Sequence, residues 1–156
     1  MFCSAAGPSP APRVREGAGA AAMEEVQMIN LDLMKSISAA FNSRDVDRIA
    51  AFFAEDGVFC LARGPETVGR TLAGRQVIRK ALADRFKAIP DMRWENEQYI
   101  LAPDADRAIS VWTVRGKAAD GEDLNYQGCD IYTFNKDGKI AHKNTFWKQV
   151  EHKDRL

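Results

Sequence analysis

The sequence predicts an α+β domain in which helices cover one face of a curved antiparallel sheet. Apolar residues recur at helical spacing early in the chain, strand-like alternation fills the later part, and turn residues separate the strands at hairpin intervals. Residues 24–42 place Val26, Ile29, Leu33, Ile37, Ala40 and Phe41 on one helical stripe, which predicts helix one. Asp45 caps a short second helix holding Val46, Ile49, Phe52 and Phe53. Glu55-Asp56-Gly57 reads as a turn, 58–62 as a strand, and 66–71 as its short partner. A third helix spans 74–89, with Val77, Ile78, Leu82, Phe86 and Ile89 inward, and Pro90 stops it. Strands at 92–101, 107–118, 124–134 and 139–150 complete the sheet, with turns at Asp104-Ala105, Asp120-Gly121 and Asn135–Gly138.

Composition bounds the function. At 156 residues one domain is expected, at 24–150. Lys plus Arg and Asp plus Glu stand at 22 each, so the chain has no electrostatic footprint for nucleic acid or an anionic membrane. No apolar run is long enough to span a bilayer. Cys3, Cys60 and Cys129 have no metal-ligand spacing and no even framework, which predicts a reducing, cytoplasmic setting. Residues 1–23, rich in Ala, Gly, Pro and Ser, read as a disordered tail, with Met23 or Met28 as alternative starts; 151–156 read as a C-terminal tail.

The last two strands carry the chemistry. Asp130 is a lone acid among Gly, Cys, Ile, Tyr, Thr and Phe, so its carboxyl is either paired or shifted upward in pKa. A two-residue turn at Asp120-Gly121 pairs Arg115 with Tyr126, Thr113 with Gly128 and Val111 with Asp130. The Asn135–Gly138 turn pairs Asp130 with Lys143, Gly128 with Thr145 and Tyr126 with Trp147. One face then holds Val111, Thr113, Arg115, Tyr126, Gly128, Asp130, Tyr132, Lys143, Thr145 and Trp147, with Arg115 and Trp94 at its mouth. The opposite face holds Trp112, Val114, Ile131, Ile140, His142 and Phe146, apolar enough to predict a homodimer. Asp130 and Lys143 form either a structural ion pair fixing strand register or an acid/base pair; both readings stand.

The order of Asn42-Ser43-Arg44-Asp45-Val46-Asp47, Phe53-Ala54-Glu55-Asp56-Gly57-Val58-Phe59, Gly74-Arg75-Gln76-Val77-Ile78-Arg79 and Asp137-Gly138-Lys139-Ile140 resembles the nuclear transport factor 2-like superfamily. Within it, residues 25–150 look most like the SnoaL-like polyketide cyclase and ketosteroid isomerase branch. The resemblance implies a cone-shaped α+β barrel, a deep pocket and a homodimer. It places Asp130 where ketosteroid isomerases keep an acid that donates to a dienolate oxygen, and Trp147 at an aromatic of the same cavity. It also places Leu61 where those enzymes have their carboxylate base and Ile37 where they have a tyrosine, so steroid isomerisation by that route is not expected.

Together these readings predict a cofactor-independent isomerase, cyclase or lyase acting on a small hydrophobic or carbonyl-bearing ligand, with no metal. Asp130 and Lys143 are its catalytic candidates; Arg115, Thr113, Tyr126, Trp147, Trp94, Leu61 and Ile37 are its binding candidates. A non-catalytic dimeric domain that binds a ligand or a partner is the alternative.

Overall fold

The structure is a computed structural model and describes residues 29–102 and 106–150. The expectations for 1–23, 151–156 and the first turns of helix one lie outside those residues. Helix α1 (Leu31–Ser43) starts at Asn30, whose side-chain oxygen accepts from the Leu33 N–H at 2.9 Å. That bond satisfies one of the amide groups a helix start leaves unpaired. Arg44 ends the helix in left-handed backbone at φ 58°. Helix α2 (Val46–Ala50) is capped by Asp45, whose Oδ1 accepts from Asp47 N and Arg48 N at 3.0 Å each.

Strand β1 (Phe53–Cys60) follows, then β2 (Thr71–Ala73), helix α3 (Arg75–Ala88), β3 (Arg93–Leu101), β4 (Arg107–Lys117), β5 (Asp123–Phe134) and β6 (Ile140–Trp147). The turn expected at Glu55-Asp56-Gly57 is instead an irregularity inside β1, where the register against β6 shifts between Phe53 and Val58. A Cβ on Gly57 would stand 2.9 Å from the Ile140 carbonyl oxygen, so glycine lets the strands close there. The partner strand expected at 66–71 begins only at Thr71. Bonds from Leu61 N to Arg70 O and from Arg70 N to Arg63 O hold the preceding segment as a loop.

The strands form one sheet in the order β2-β1-β6-β5-β4-β3. Every pairing is antiparallel except β1–β6, which is parallel. Helices α1 and α3 cover its inner face. Met34, Ile37 and Phe41 of α1 and Ile78 and Leu82 of α3 meet Phe53, Phe59, Tyr132, Phe134 and Ile140 in the main core. Ile89, Met92, Trp112, Val114, Leu124 and Tyr126 form a second cluster. No helix among the described residues is long and apolar enough to cross a membrane.

Hairpin geometry corrects the expected faces. The β4–β5 connection closes from Ala118 N to Glu122 O and from Gly121 N to Ala118 O, both at 2.9 Å, with Gly121 at φ 88°. This is a three-residue loop ending in a left-handed glycine, where a two-residue turn was expected. Ser110 therefore faces Asp130, Trp112 faces Gly128 and Val114 faces Tyr126. A one-residue slip exchanges the faces of a strand. Val111, Thr113 and Arg115 thus turn outward, while Ser110, Trp112 and Val114 turn inward and are buried.

At the β5–β6 hairpin two differences add. The loop closes from Asn135 N to Lys139 O, and the register shifts again between Thr133 and Phe134. The slip totals two residues, so β6 keeps its expected face but changes partners: Lys143 lies across from Tyr132, Thr145 from Asp130 and Trp147 from Gly128. Of the residues expected on the outer face, Trp112, Val114 and Ile140 are buried in the core, while Phe146 is 49% exposed.

Candidate functional site

A cavity of about 270 Å³ lies where the two core clusters meet, between the helices and the inner face of the sheet. Its wall is mostly aromatic and aliphatic, and within it sits a charged pair. Asp130 is 5% exposed and Lys143 3%. Asp130 Oδ1 accepts from Lys143 Nζ and from Thr145 Oγ1, each at 2.5 Å. Its Oδ2 accepts from Trp112 Nε1 at 2.8 Å and from the Tyr132 hydroxyl at 3.3 Å. Lys143 Nζ also donates to Thr145 Oγ1 at 2.9 Å. Four donors thus surround one carboxylate, which offsets much of what its removal from water costs.

Strand geometry builds this cluster. Alternation sends Asp130 and Tyr132 inward from β5, and Lys143 and Thr145 inward from β6. Gly128 makes room for the fifth member. A Cβ there would stand 2.5 Å from the Trp112 ring, so only glycine lets the indole lie over β5 and reach Asp130.

The ammonium is enclosed as well as paired. Lys143 Nζ lies 4.1 Å from the centre of the Phe59 ring, 5.3 Å from that of Phe41 and 5.5 Å from that of Tyr132. Ring faces attract a desolvated cation. Burial nonetheless holds the Lys143 pKa below the ordinary lysine range, with the Asp130 carboxylate opposing that shift. Burial, and then the Asp130 charge, push the Tyr132 hydroxyl well above the ordinary tyrosine value, so it stays a neutral donor.

At the other end of the wall, Tyr126 and Trp147 stack with ring centres 5.7 Å apart. The guanidinium of Arg63 lies 5.3 Å from the Trp147 ring centre, and that of Arg85 lies 5.8 Å from it. Burial, and then the neighbouring Arg63 charge, lower the Arg85 pKa.

Of the residues singled out in the sequence, Asp130, Lys143, Tyr126, Trp147, Trp94 and Leu61 share this cavity. Thr113 and Arg115 do not, because the β4 register points them outward; Arg115 Nε sits 2.8 Å from Glu95 Oε2 near the surface. Ile37 is 1% exposed within the main core and does not reach the cavity wall. His142 is on the outer face, with Nε2 3.5 Å from Cys60 Sγ. Sequence reasoning missed Trp112, Ser110, Phe59, Arg63 and Arg85, all in the wall. Gly128 in a strand interior was the one available sign of Trp112, since such a glycine marks a close approach. Among the described residues, no three His, Cys, Asp or Glu side chains converge to hold a metal ion.

Comparison with known proteins gives the relationships of the chain. The family of SnoaL-like domains matches residues 35–143. No curated protein matches the chain by sequence. A candidate polyketide cyclase from Xanthomonas campestris pv. campestris is similar in structure at 21% identity and a TM-score of 0.65, over 75% of this chain and 88% of that one. A protein of the nuclear transport factor 2-like type and unknown function from Exiguobacterium is 23% identical with a TM-score of 0.64, over 76% and 99%. SalBIII, an epoxide hydrolase/cyclase-like enzyme with a role in pyran ring formation in the polyether salinomycin, is 16% identical with a TM-score of 0.63, over 76% and 89%. At these identities the likeness is one of fold.

Proposed function

Because the chain belongs to the family of SnoaL-like domains, we propose that it moves a proton beside the carbonyl of a small organic substrate, using its own side chains. One observation carries this reading: a carboxylate and an ammonium are buried together in the wall of a largely aromatic and aliphatic cavity. Ligand sites are commonly apolar hollows with a few convergent polar groups, and proton-transfer sites hold groups whose pKa values burial displaces. The cavity, about 270 Å³, suits a compact molecule of one or two rings.

The proposed step begins with the Tyr132 hydroxyl, the longest of the four bonds to Asp130 at 3.3 Å. A substrate carbonyl oxygen takes over that donor and leaves Asp130 Oδ2 a free lone pair. The carboxylate then removes the proton from the adjacent carbon, and the electrons of the broken C–H bond move toward the carbonyl oxygen. Tyr132 and the Lys143 ammonium stabilise the charge developing on that oxygen. Return of the proton to another atom completes an isomerisation; alternatively the enolate carbon attacks a second carbonyl carbon, the π electrons of that carbonyl move to its oxygen, and the oxygen takes the proton back from Asp130 as the ring closes. Ring formation is the chemistry named for SalBIII, and polyketide cyclisation is that named for the Xanthomonas neighbour.

The second reading is a domain that holds a ligand without transforming it. Two observations favour it: Leu61 lines the wall where the steroid isomerases have a base, and Asp130 is fully engaged by donors. A thermal-shift panel of small ketones and matched alcohols separates the two. Catalysis predicts that ketones stabilise the protein more than alcohols do, and that Asp130→Asn keeps the fold while losing turnover of the best ketone. Stabilisation by both classes alike, with every ketone recovered unchanged, supports the second reading.

A further inference from the structure

Arg63 and Arg85 flank one end of the cavity, and Arg63 also lies over the Tyr126 ring, 5.9 Å from its centre. Both reach the cavity wall, one from the loop after β1 and the other from the last turn of α3. Both guanidinium groups lie beside the Trp147 ring, so two positive charges converge on one aromatic platform. Among the described residues neither forms an ion pair. Of the other acids of the wall, Glu97 accepts from the Tyr99 hydroxyl at 2.7 Å, and Glu122 accepts from the hydroxyl of Tyr126, the ring Arg63 overlies, at 3.0 Å without forming an ion pair with either arginine. Arg63 is exposed to water, so the cost of bringing the two like charges together falls on the half-buried Arg85, whose pKa burial and then the Arg63 charge lower. A planar anion would remove that cost, since guanidinium groups match a carboxylate with paired N–H donors.

Resting on the proposed function, we propose that the substrate is an organic acid: its carboxylate sits between Arg63 and Arg85, and its carbonyl lies at Asp130 and Lys143. The ring or chain between those ends crosses the apolar middle of the cavity, past Leu82 and Trp94. The arginines select the substrate and set its direction of entry, leaving the proton chemistry to the other end.

The test compares 4-acetylbenzoate with 4-acetylbenzamide, which match in size and carry the same ketone but differ in charge. Isothermal titration of the full chain is expected to give the acid at least about tenfold the affinity of the amide, the scale of one charge-assisted hydrogen bond. Arg85→Met and Arg63→Met should each bring that ratio close to one, and Arg85→Lys should restore part of it. Thermal melts of the variants report whether the fold is kept. Equal affinities for acid and amide in the wild-type protein would overturn the proposal, as would a ratio that survives both Met substitutions or an acid that does not bind at millimolar concentration. Affinity reports on the arginines, and exchange of the acetyl protons in D2O reports on Asp130. Lost charge preference with exchange intact therefore defeats this proposal alone, whereas binding with no exchange defeats the proposed chemistry alone.

Discussion

Lys143 has a reason to be charged and a reason not to be, and the balance is local. Burial pulls the ammonium toward neutrality while the carboxylate and three ring faces hold it charged. Replacing Lys143 with Met leaves a buried carboxylate with Trp112, Thr145 and Tyr132 but no counterion. Loss of one partner of a buried pair typically costs about 3–5 kcal/mol. Urea unfolding of Lys143→Met should show a loss of that order; a change under about 1 kcal/mol would mean that the hydrogen-bond donors alone sustain the carboxylate. Asp130 and Lys143 were legible in the sequence as an acid and a base in β-rich runs, where charge is out of place. Arg63 and Arg85 were not. They stand in a loop and at a helix end, where charged residues are ordinary, and only the tertiary fold brings them to the same tryptophan.

At the scale of elements, the parity of two hairpins decides which residues can meet. The strands of the β5–β6 hairpin, and their inward faces, could be read from alternation and turn residues. The β4 face could not, because Asp120-Gly121 suits a two-residue turn or the end of a three-residue loop, and these differ by one residue of register. That residue puts Ser110 across from Asp130 in place of Val111, and turns Trp112 inward and Arg115 outward. Gly57 shows the same limit in β1: a turn signal in the sequence becomes a close crossing in the sheet. Gly128 links the register to the site. Gly128→Ala should push the Trp112 indole away from Asp130 and cost about 1–3 kcal/mol by overpacking. Trp112→Phe in the same background should recover only part of that loss, because it removes the indole atoms near the new methyl but leaves the Phe146 carbonyl oxygen that crowds it from the backbone side. A stable Gly128→Ala protein with unchanged tryptophan fluorescence would show that the strands yield instead.

Over the whole molecule, the buried hydroxyls make stability depend on alkaline pH. Tyr99 is pushed up to about 12 and Tyr132 well above the ordinary tyrosine value, both chiefly by burial, while an unfolded tyrosine ionises near its ordinary value. Up to about pH 10 both states keep these protons, so the contribution is constant. Above it the unfolded chain releases protons that the fold retains, so stability falls as pH rises toward the folded values. Lys143 acts in the opposite sense and in a lower window. Its folded pKa is depressed, so below the ordinary lysine value the unfolded chain binds more protons and stability rises with pH. Urea midpoints measured between pH 9 and 12 should therefore decline at the upper end, and Tyr132→Phe should flatten that decline. An unchanged slope in Tyr132→Phe would place the titrating groups elsewhere.

The general frame of the molecule, helices on one face of a bent sheet, was legible from periodicity alone because both repeats run the length of their elements. The contents of the cavity depend on how that frame closes, with β1 joining β6 in parallel, and a hairpin reading does not reach that pairing. The central claim is that this cavity uses Asp130 to move a proton beside a carbonyl. Its most direct test is deuterium incorporation next to the carbonyl of the ketone that best stabilises the protein, followed by proton NMR in D2O. The wild-type protein should exchange that position well above the buffer rate, and Asp130→Asn, still folded and still binding, should lose about 10²–10⁴-fold of the acceleration. Exchange by Asp130→Asn at the wild-type rate, or none by a wild-type protein with the ketone bound, would contradict the account.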